Sequence, residues 1–266
     1  MDEWCRALTP AGFFIAAVFV ALGIVLARYL NNQKGKYLAH VEYWVLSPDT
    51  KLPDLTETMA AVMQSPGISP TEGLLFSDIR FKIGLILSSK NKNAEIVNRS
   101  EYRDVFEQSG SAIRVQYSSE SKLDSKKHLQ FCVHVAGALA YQAGAVGILD
   151  VVADRLWSVT EFQEFLNRKH QATAFADHVI VTQQDDLTFV VRGLQKVGVP
   201  DLSTLPVERD KLLLARTVID RYAAASWDSM SPMTEPIVEY GDEFILLRAA
   251  QKPGSESARL LRRQPK

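Results

Sequence analysis

Seventeen consecutive residues from Ala11 to Ala27, AGFFIAAVFVALGIVLA, carry no charge and no polar side chain. Extended back over Ala7, Leu8, Thr9 and Pro10 the run is 21 residues, about 31 Å of helix and close to the thickness of a bilayer core. Pro10 stands near the helix start, where a missing N–H costs little. Trp4 and Tyr29 flank the run where aromatic belts form. A buried core helix rarely lacks polar residues all round over this length, so the reading is a transmembrane helix. A cleaved signal peptide is the rival, because Val25 and Ala27 satisfy the small-residue rule for a cut before Arg28. The leading segment MDEWCR argues for an uncleaved anchor, since Asp2 and Glu3 cancel the positive charge that a signal peptide carries there.

Charge close to the run sets an orientation. Only Arg6 precedes it, whereas Arg28, Lys34 and Lys36 follow. By the positive-inside rule the C-terminal part faces the cytoplasm; a periplasmic placement is the alternative. Residues 251–266 hold five basic side chains against Glu256 alone. They read as a basic, disordered tail, with Pro253, Gly254 and Ser255 as breakers. Attraction to an anionic leaflet is a second use of that charge.

The rest of the chain has globular composition, with 47% hydrophobic and 23% charged residues. That excludes a mainly disordered chain and a multi-span membrane protein. With 30 Lys+Arg against 31 Asp+Glu, no global positive field exists to hold nucleic acid. Cys5 and Cys132 are too few and too far apart for a disulfide scaffold or a metal knuckle.

The expected organisation is an anchor with its flank over 1–30, a linker over 31–36, one domain over 37–250 and the tail over 251–266. Within the domain, Tyr37–Ser47, Ile79–Leu87 and Ala112–Tyr117 read as strands, rich in β-branched and aromatic residues. Pro53–Gln64 reads as an amphipathic helix with Leu55, Met59 and Val62 on its apolar face. The stretch ending at Ala143 shows both strand and helix periodicity. At about twenty residues it is too long for a strand, so it reads as a buried helix with Asp124 as N-cap and Gly144 as its stop. Val146–Val152 follows as a short buried strand. A capping-box helix begins at Ser158 and carries Glu161, Phe162, Phe165 and Leu166. His178–Thr182 and Leu187–Arg192 form a hairpin, and Leu212, Ala215, Ile219 and Tyr222 mark a helix after Pro206. Pro236–Arg248 reads as a second hairpin around Gly241-Asp242. Strands and helices mix without strict alternation, so the class is α+β. Asn98-Arg99-Ser100 is a glycosylation sequon that matters only in a glycosylating compartment.

Three pieces carry a family resemblance: LAYQAGAVGILD, WSVTEFQEFL and VVRGLQKVGVPDL. The segment from about Ala112 to Ala223 resembles an uncharacterised bacterial family, domain of unknown function 4261. Leu149, Asp150 and Val151 stand where that family has an aromatic-glycine sequence. The resemblance implies an α+β domain in a bacterial protein and no established activity.

Strong catalytic signatures are missing: no GxSxG, HExxH, P-loop, GxGxxG after a strand, or CxxC. His128, Cys132 and His134 are the nearest thing to a metal set, yet they lack a fourth ligand and read as packed core residues. No catalytic residue, metal or cofactor is therefore assigned. Asp150 and Asp154 stand at the end of a buried strand, where α/β-type sites open, with Trp157 as an apolar wall. Trp227 falls in the polar stretch ASWDSMSPM, the setting of an exposed contact residue. These four are the candidate partner or ligand contacts.

The reading that follows is a single-pass protein of the bacterial inner membrane whose domain holds a protein partner, an immunity or accessory protein for a toxin or secretion system being the concrete form. Neither nucleic acid nor a small molecule is expected as partner. Two alternatives stay open: a hydrolase or small-ligand domain using Asp150–Trp157, and a membrane component that self-associates. For the latter, Ala16, Ala17, Ala21 and Gly23 are small enough for close helix packing.

Overall fold

The computed structural model describes residues 38–87, 102–168, 172–204, 206–231, 239–240, 243–247 and 260–262. The apolar run, the linker and the sequon lie outside these residues. Among the described residues no helix is long and apolar enough to cross a membrane.

The domain is mixed α+β. Its centre is β1 (Ala39–Ser47), which pairs antiparallel with β3 (Ser111–Ser119) from Ala39↔Ser119 to Ser47↔Ser111. The other edge of β1 pairs antiparallel with β4 (Gly147–Asp150), Tyr43 opposite Asp150. With β2 (Phe81–Leu87) outside β3 and β5 (Arg155–Trp157) outside β4, the strand order is β2-β3-β1-β4-β5. Every pairing in this sheet is antiparallel. The period of two divides β1 between two cores. Val41, Tyr43 and Val45 join the main core. Trp44 and Leu46 point the other way, into a smaller cluster with Tyr102, Ala112 and Leu149. Val105 and Phe106 of α3 (Arg103–Glu107) pack against that cluster.

Helices from along the chain pack the main core against this sheet. α1 (Leu55–Met63) is capped by Asp54, whose side chain accepts from Thr56 N–H at 2.7 Å. α2 (Pro70–Gly73) runs into a 3₁₀ turn at Leu74–Ser77. α4 (Lys127–Gln142) lies across the sheet, and 11 of its residues are buried, among them Phe131, Val135 and Leu139. It is therefore a helix, as its length implies, but its N-cap is Lys126 and not Asp124. Its C-terminus closes as expected at Gly144, in the left-handed region at φ +54°. Ala145 N–H donates to Ala140 C=O at 2.9 Å, the long bond of a Schellman motif that satisfies a terminal carbonyl.

α1 turns differently from its sequence reading. Thr58 and Val62 are buried, while Leu55 and Met59 are each 42% exposed. The reason is a tertiary contact: Thr58 Oγ1 donates to Gln142 Oε1 at 2.6 Å, which pins that face of α1 against the end of α4.

α5 (Val159–Asn167) begins with the predicted capping box, Ser158 accepting from Glu161 N–H and Glu161 accepting from Ser158 N–H. It crosses α4 closely at Gly137, where a Cβ would overlap Leu166 Cδ1. α6 (Phe175–His178) leads into the meander β6 (Ile180–Gln183), β7 (Phe189–Arg192) and β8 (Leu202–Ser203). A 3₁₀ turn, Leu194–Val197, interrupts β7 and β8 between two left-handed glycines, Gly193 and Gly198. α7 (Leu212–Ser229) buries Ala215, Ile219 and Tyr222 as the stripe predicts. The last strands, β9 (Glu239–Tyr240), β10 (Glu243–Leu247) and β11 (Leu260–Arg262), form a third antiparallel meander. β9 and β10 are the expected hairpin. β11 falls within the segment read as a disordered tail: its Leu260 and Leu261 find register partners on β10, which composition alone cannot foresee.

Candidate functional site

Asp150 ends β4 and is 1% exposed. Oδ1 accepts from Ala153 N–H at 3.1 Å, closing the turn toward β5. Oδ2 forms an ion pair with the Nζ of Lys196, a side chain with no exposure at all. The 3₁₀ turn after β7 delivers Lys196, and Gly193 makes that delivery possible. At φ +103° a Cβ there would overlap the His178 carbonyl oxygen, so β7 can turn against α6 only with glycine.

The Lys196 ammonium also donates to His178 C=O at 3.1 Å and sits 5.6 Å from the centre of the Tyr43 ring. Burial pulls its pKa down, opposed by the charge and hydrogen bond of Asp150. His178 is buried too. Its Nε2 lies 2.8 Å from Ala172 C=O and must donate there; Nδ1 then accepts from Tyr43 O–H at 3.3 Å. Burial, reinforced by the Lys196 charge, holds this imidazole neutral, its pKa well below the usual value. The His178 ring stacks on Trp227 at 5.5 Å and meets the edge of Phe165 at 5.6 Å. Each donor and acceptor of the cluster has a partner, and the chemistry available to it is that of a closed internal clamp joining β1, β4, α6 and the 3₁₀ turn.

Of the sequence-derived candidates, the structure brings Asp150 and Trp227 to opposite sides of this cluster. Trp227 is not a loop residue: it lies in α7, fully buried, with Nε1 donating to Thr173 C=O at 3.0 Å. The apolar stripe of α7 runs on through it, so the polar neighbours Ser226 and Asp228 gave the wrong setting. Trp157 is 3% exposed and stacks with Phe165 at 5.5 Å, with Arg155 lying 3.4 Å over its ring. Asp154 takes a positive φ of 58° in the tight turn, where it pairs with Arg192 and accepts from Tyr102 O–H at 3.2 Å. Asp150 and Asp154 do not form a carboxylate pair, since each has its own cation from the β7 region.

Lys196, His178 and Tyr43 were missed by sequence reasoning. The available signal was GLQKVG, a lysine between two glycines directly after an apolar strand. His128 belongs to the same neighbourhood, its Nε2 lying 2.8 Å from Lys196 C=O. Cys132 is a free buried thiol whose pKa burial drives upward, and burial lowers the pKa of His134. Among the described residues no three His, Cys, Asp or Glu are grouped so that they could hold a metal ion.

A shallow cleft of about 270 Å³ lies beside the start of α4, lined by Glu72, Arg80, Tyr117, Lys122, Lys127 and His128 among others. Arg80 is already engaged by Asp78, at 2.6 Å. Comparison of the chain with family models, with curated proteins and with solved structures gives no match.

Proposed function

We propose that this chain is a protein-interaction domain tethered to the bacterial inner membrane by its N-terminal apolar run, facing the cytoplasm and serving a toxin or secretion system as an immunity or accessory protein. The observation that carries the reading is an apolar row on the outside of α1. Leu55 and Met59, four apart on one face of α1, are each 42% exposed, and Leu52, 40% exposed, stands in the segment that leads into the helix. Thr58 and Val62, on the adjoining side of the helix, are buried and dock it. Such a row has the spacing of the anchors by which a helix engages a groove. The rival use of Asp150–Trp157 for hydrolysis gains no support from an Asp150 carboxylate enclosed against Lys196.

A photo-crosslinking amino acid in place of Leu55, in the full-length chain in its native membrane, tests the proposal. The expected result is a discrete adduct with a second protein that Met59→Asp abolishes. No adduct, or one indifferent to Met59→Asp, overturns the reading. An adduct with another copy of the chain replaces it with the self-associating membrane component.

A further inference from the structure

The outer face of the main sheet, next to the Trp44 cluster, carries a row of polar side chains that neither the core clamp nor α1 uses. Pleating aligns His40, Glu42 and Trp44 along β1, and the register sets them opposite Ser118, Gln116 and Arg114 of β3. Ser118 Oγ is 2.9 Å from His40 Nδ1. His40 Nε2 is 3.1 Å from Glu42 Oε2. The second oxygen of Glu42 accepts from Trp44 Nε1–H at 2.6 Å, and Gln116 Nε2 donates to Ser118 Oγ at 3.3 Å.

Glu42 can only accept, so the neutral tautomer of His40 carries its proton on Nε2 and leaves Nδ1 to accept from the Ser118 hydroxyl. Ser118 Oγ keeps its lone pairs to accept from Gln116. The chain Gln116→Ser118→His40→Glu42 is the resting arrangement of a nucleophile, a general base and an orienting carboxylate. Burial pushes the Glu42 pKa up, but the hydrogen bonds of His40 and Trp44, with the charge of Arg114, outweigh it and keep the carboxylate ionised. The array is accessible: the His40 and Glu42 side chains keep 21% and 13% exposure.

We propose that Ser118, His40, Glu42 and Gln116 form an acyl-transfer site on the open sheet face, hydrolysing carboxylic esters. Oγ of Ser118 attacks the ester carbonyl and passes its proton to His40 Nδ1. Gln116 Nε2–H, bonded to Ser118 Oγ at rest, is the side-chain donor beside the reacting oxygen. As the carbon–oxygen bond to the leaving alcohol breaks, His40 gives that oxygen the proton. Water then attacks the acyl-serine, its proton moving to His40 and on to Ser118 Oγ, and the free acid departs. Ester and water become acid and alcohol, with no other reactant. Glu42 is a positioning residue, holding the imidazole in the Nε2–H tautomer and stabilising the cation it becomes. This proposal is independent of the interaction role above.

The test uses the full chain with a fluorophosphonate probe and with 4-nitrophenyl acetate. The expected result is a single phosphonylated residue, Ser118, and ester turnover with an acyl-enzyme burst. Ser118→Ala removes both. His40→Gln slows turnover by about 100-fold or more, the scale of a lost general base. Glu42→Gln lowers kcat and moves the acid limb of the pH–rate profile to lower pH, because the carboxylate that favours imidazolium is gone; a merely structural role would leave that limb in place. Ser118 and His40 are partly exposed, and an unaltered circular dichroism spectrum verifies the fold of each variant. No adduct on the wild-type chain, labelling that survives Ser118→Ala, or turnover unchanged in His40→Gln overturns the proposal.

Discussion

Lys196 has no solvent contact, so its ammonium is compensated by Asp150, the His178 carbonyl and the Tyr43 ring. Removing one member of such a pair strands the other, at about 3–5 kcal/mol, whereas replacing both with apolar groups is often neutral. Lys196→Met is therefore expected to destabilise the domain by about that amount in urea unfolding, and Lys196→Met with Asp150→Leu to recover most of it. Equal losses in the single and double variants would contradict the clamp. Asp201 makes a second prediction. Burial raises its carboxyl from 3.8 to about 7, against the backbone N–H groups of Gln195, Leu194 and Gly193 and the Lys196 charge. Between those two values the folded chain holds a proton that the unfolded chain has lost, so this group's contribution to stability falls as pH rises from about 4 to about 7. Asp201→Asn is expected to flatten that slope, read by denaturation at pH 4.5 and 7.5; identical slopes would refute the assignment. The place of Asp150 at the end of a buried strand was legible in sequence, and there it closes the turn to Ala153. Its cation was not legible, because Lys196 stands 46 residues away and reads like any surface lysine.

At the scale of elements, boundaries with a local chemical cause were readable. Ser158 and Glu161 form their box within one turn, and Gly144 stops α4 through its own backbone. What a helix faces was less readable. Of the apolar period Leu55, Met59 and Val62, Val62 alone is buried, and Thr58 beside it is held in by its hydrogen bond to Gln142. The glycines separate the two kinds of constraint. Gly144 at φ +54° has nothing within 4 Å of a built Cβ, so Gly144→Ala should cost only the left-handed penalty, about 1 kcal/mol. Gly193 combines positive φ with backbone contact at His178. Gly193→Ala should therefore cost at least about 2 kcal/mol and loosen the turn that seats Lys196. Chemical denaturation of both variants checks the order, and a cheaper Gly193→Ala would show that the close approach does not matter.

The arrangement of the whole molecule fixes which distant residues meet. The register of β1 with β3 places His40 beside Ser118 across 78 positions, and its register with β4 sets Tyr43 opposite Asp150; a one-residue slip in either pairing would send the slipped strand's side chains to the other face. The proposed placement in the cell rests on a different large-scale feature, the uncharged run and the excess of Arg28, Lys34 and Lys36 after it. A reporter active only in the cytoplasm, fused after Lys266, is expected to be active. Activity instead from a periplasm-only reporter would reverse the orientation and reopen the cleaved-signal reading.

The sequence by itself determined the α+β class, most strands and helices, the α5 cap and the α4 stop, because each depends on residues within three or four positions of one another. Tertiary structure decided the register of β1 against β3 and β4, the buried face of α1, the seat of Trp227 in the core, and both polar clusters. Those outcomes depend on closing long loops so that whole faces are buried together, and no local window of residues contains that balance.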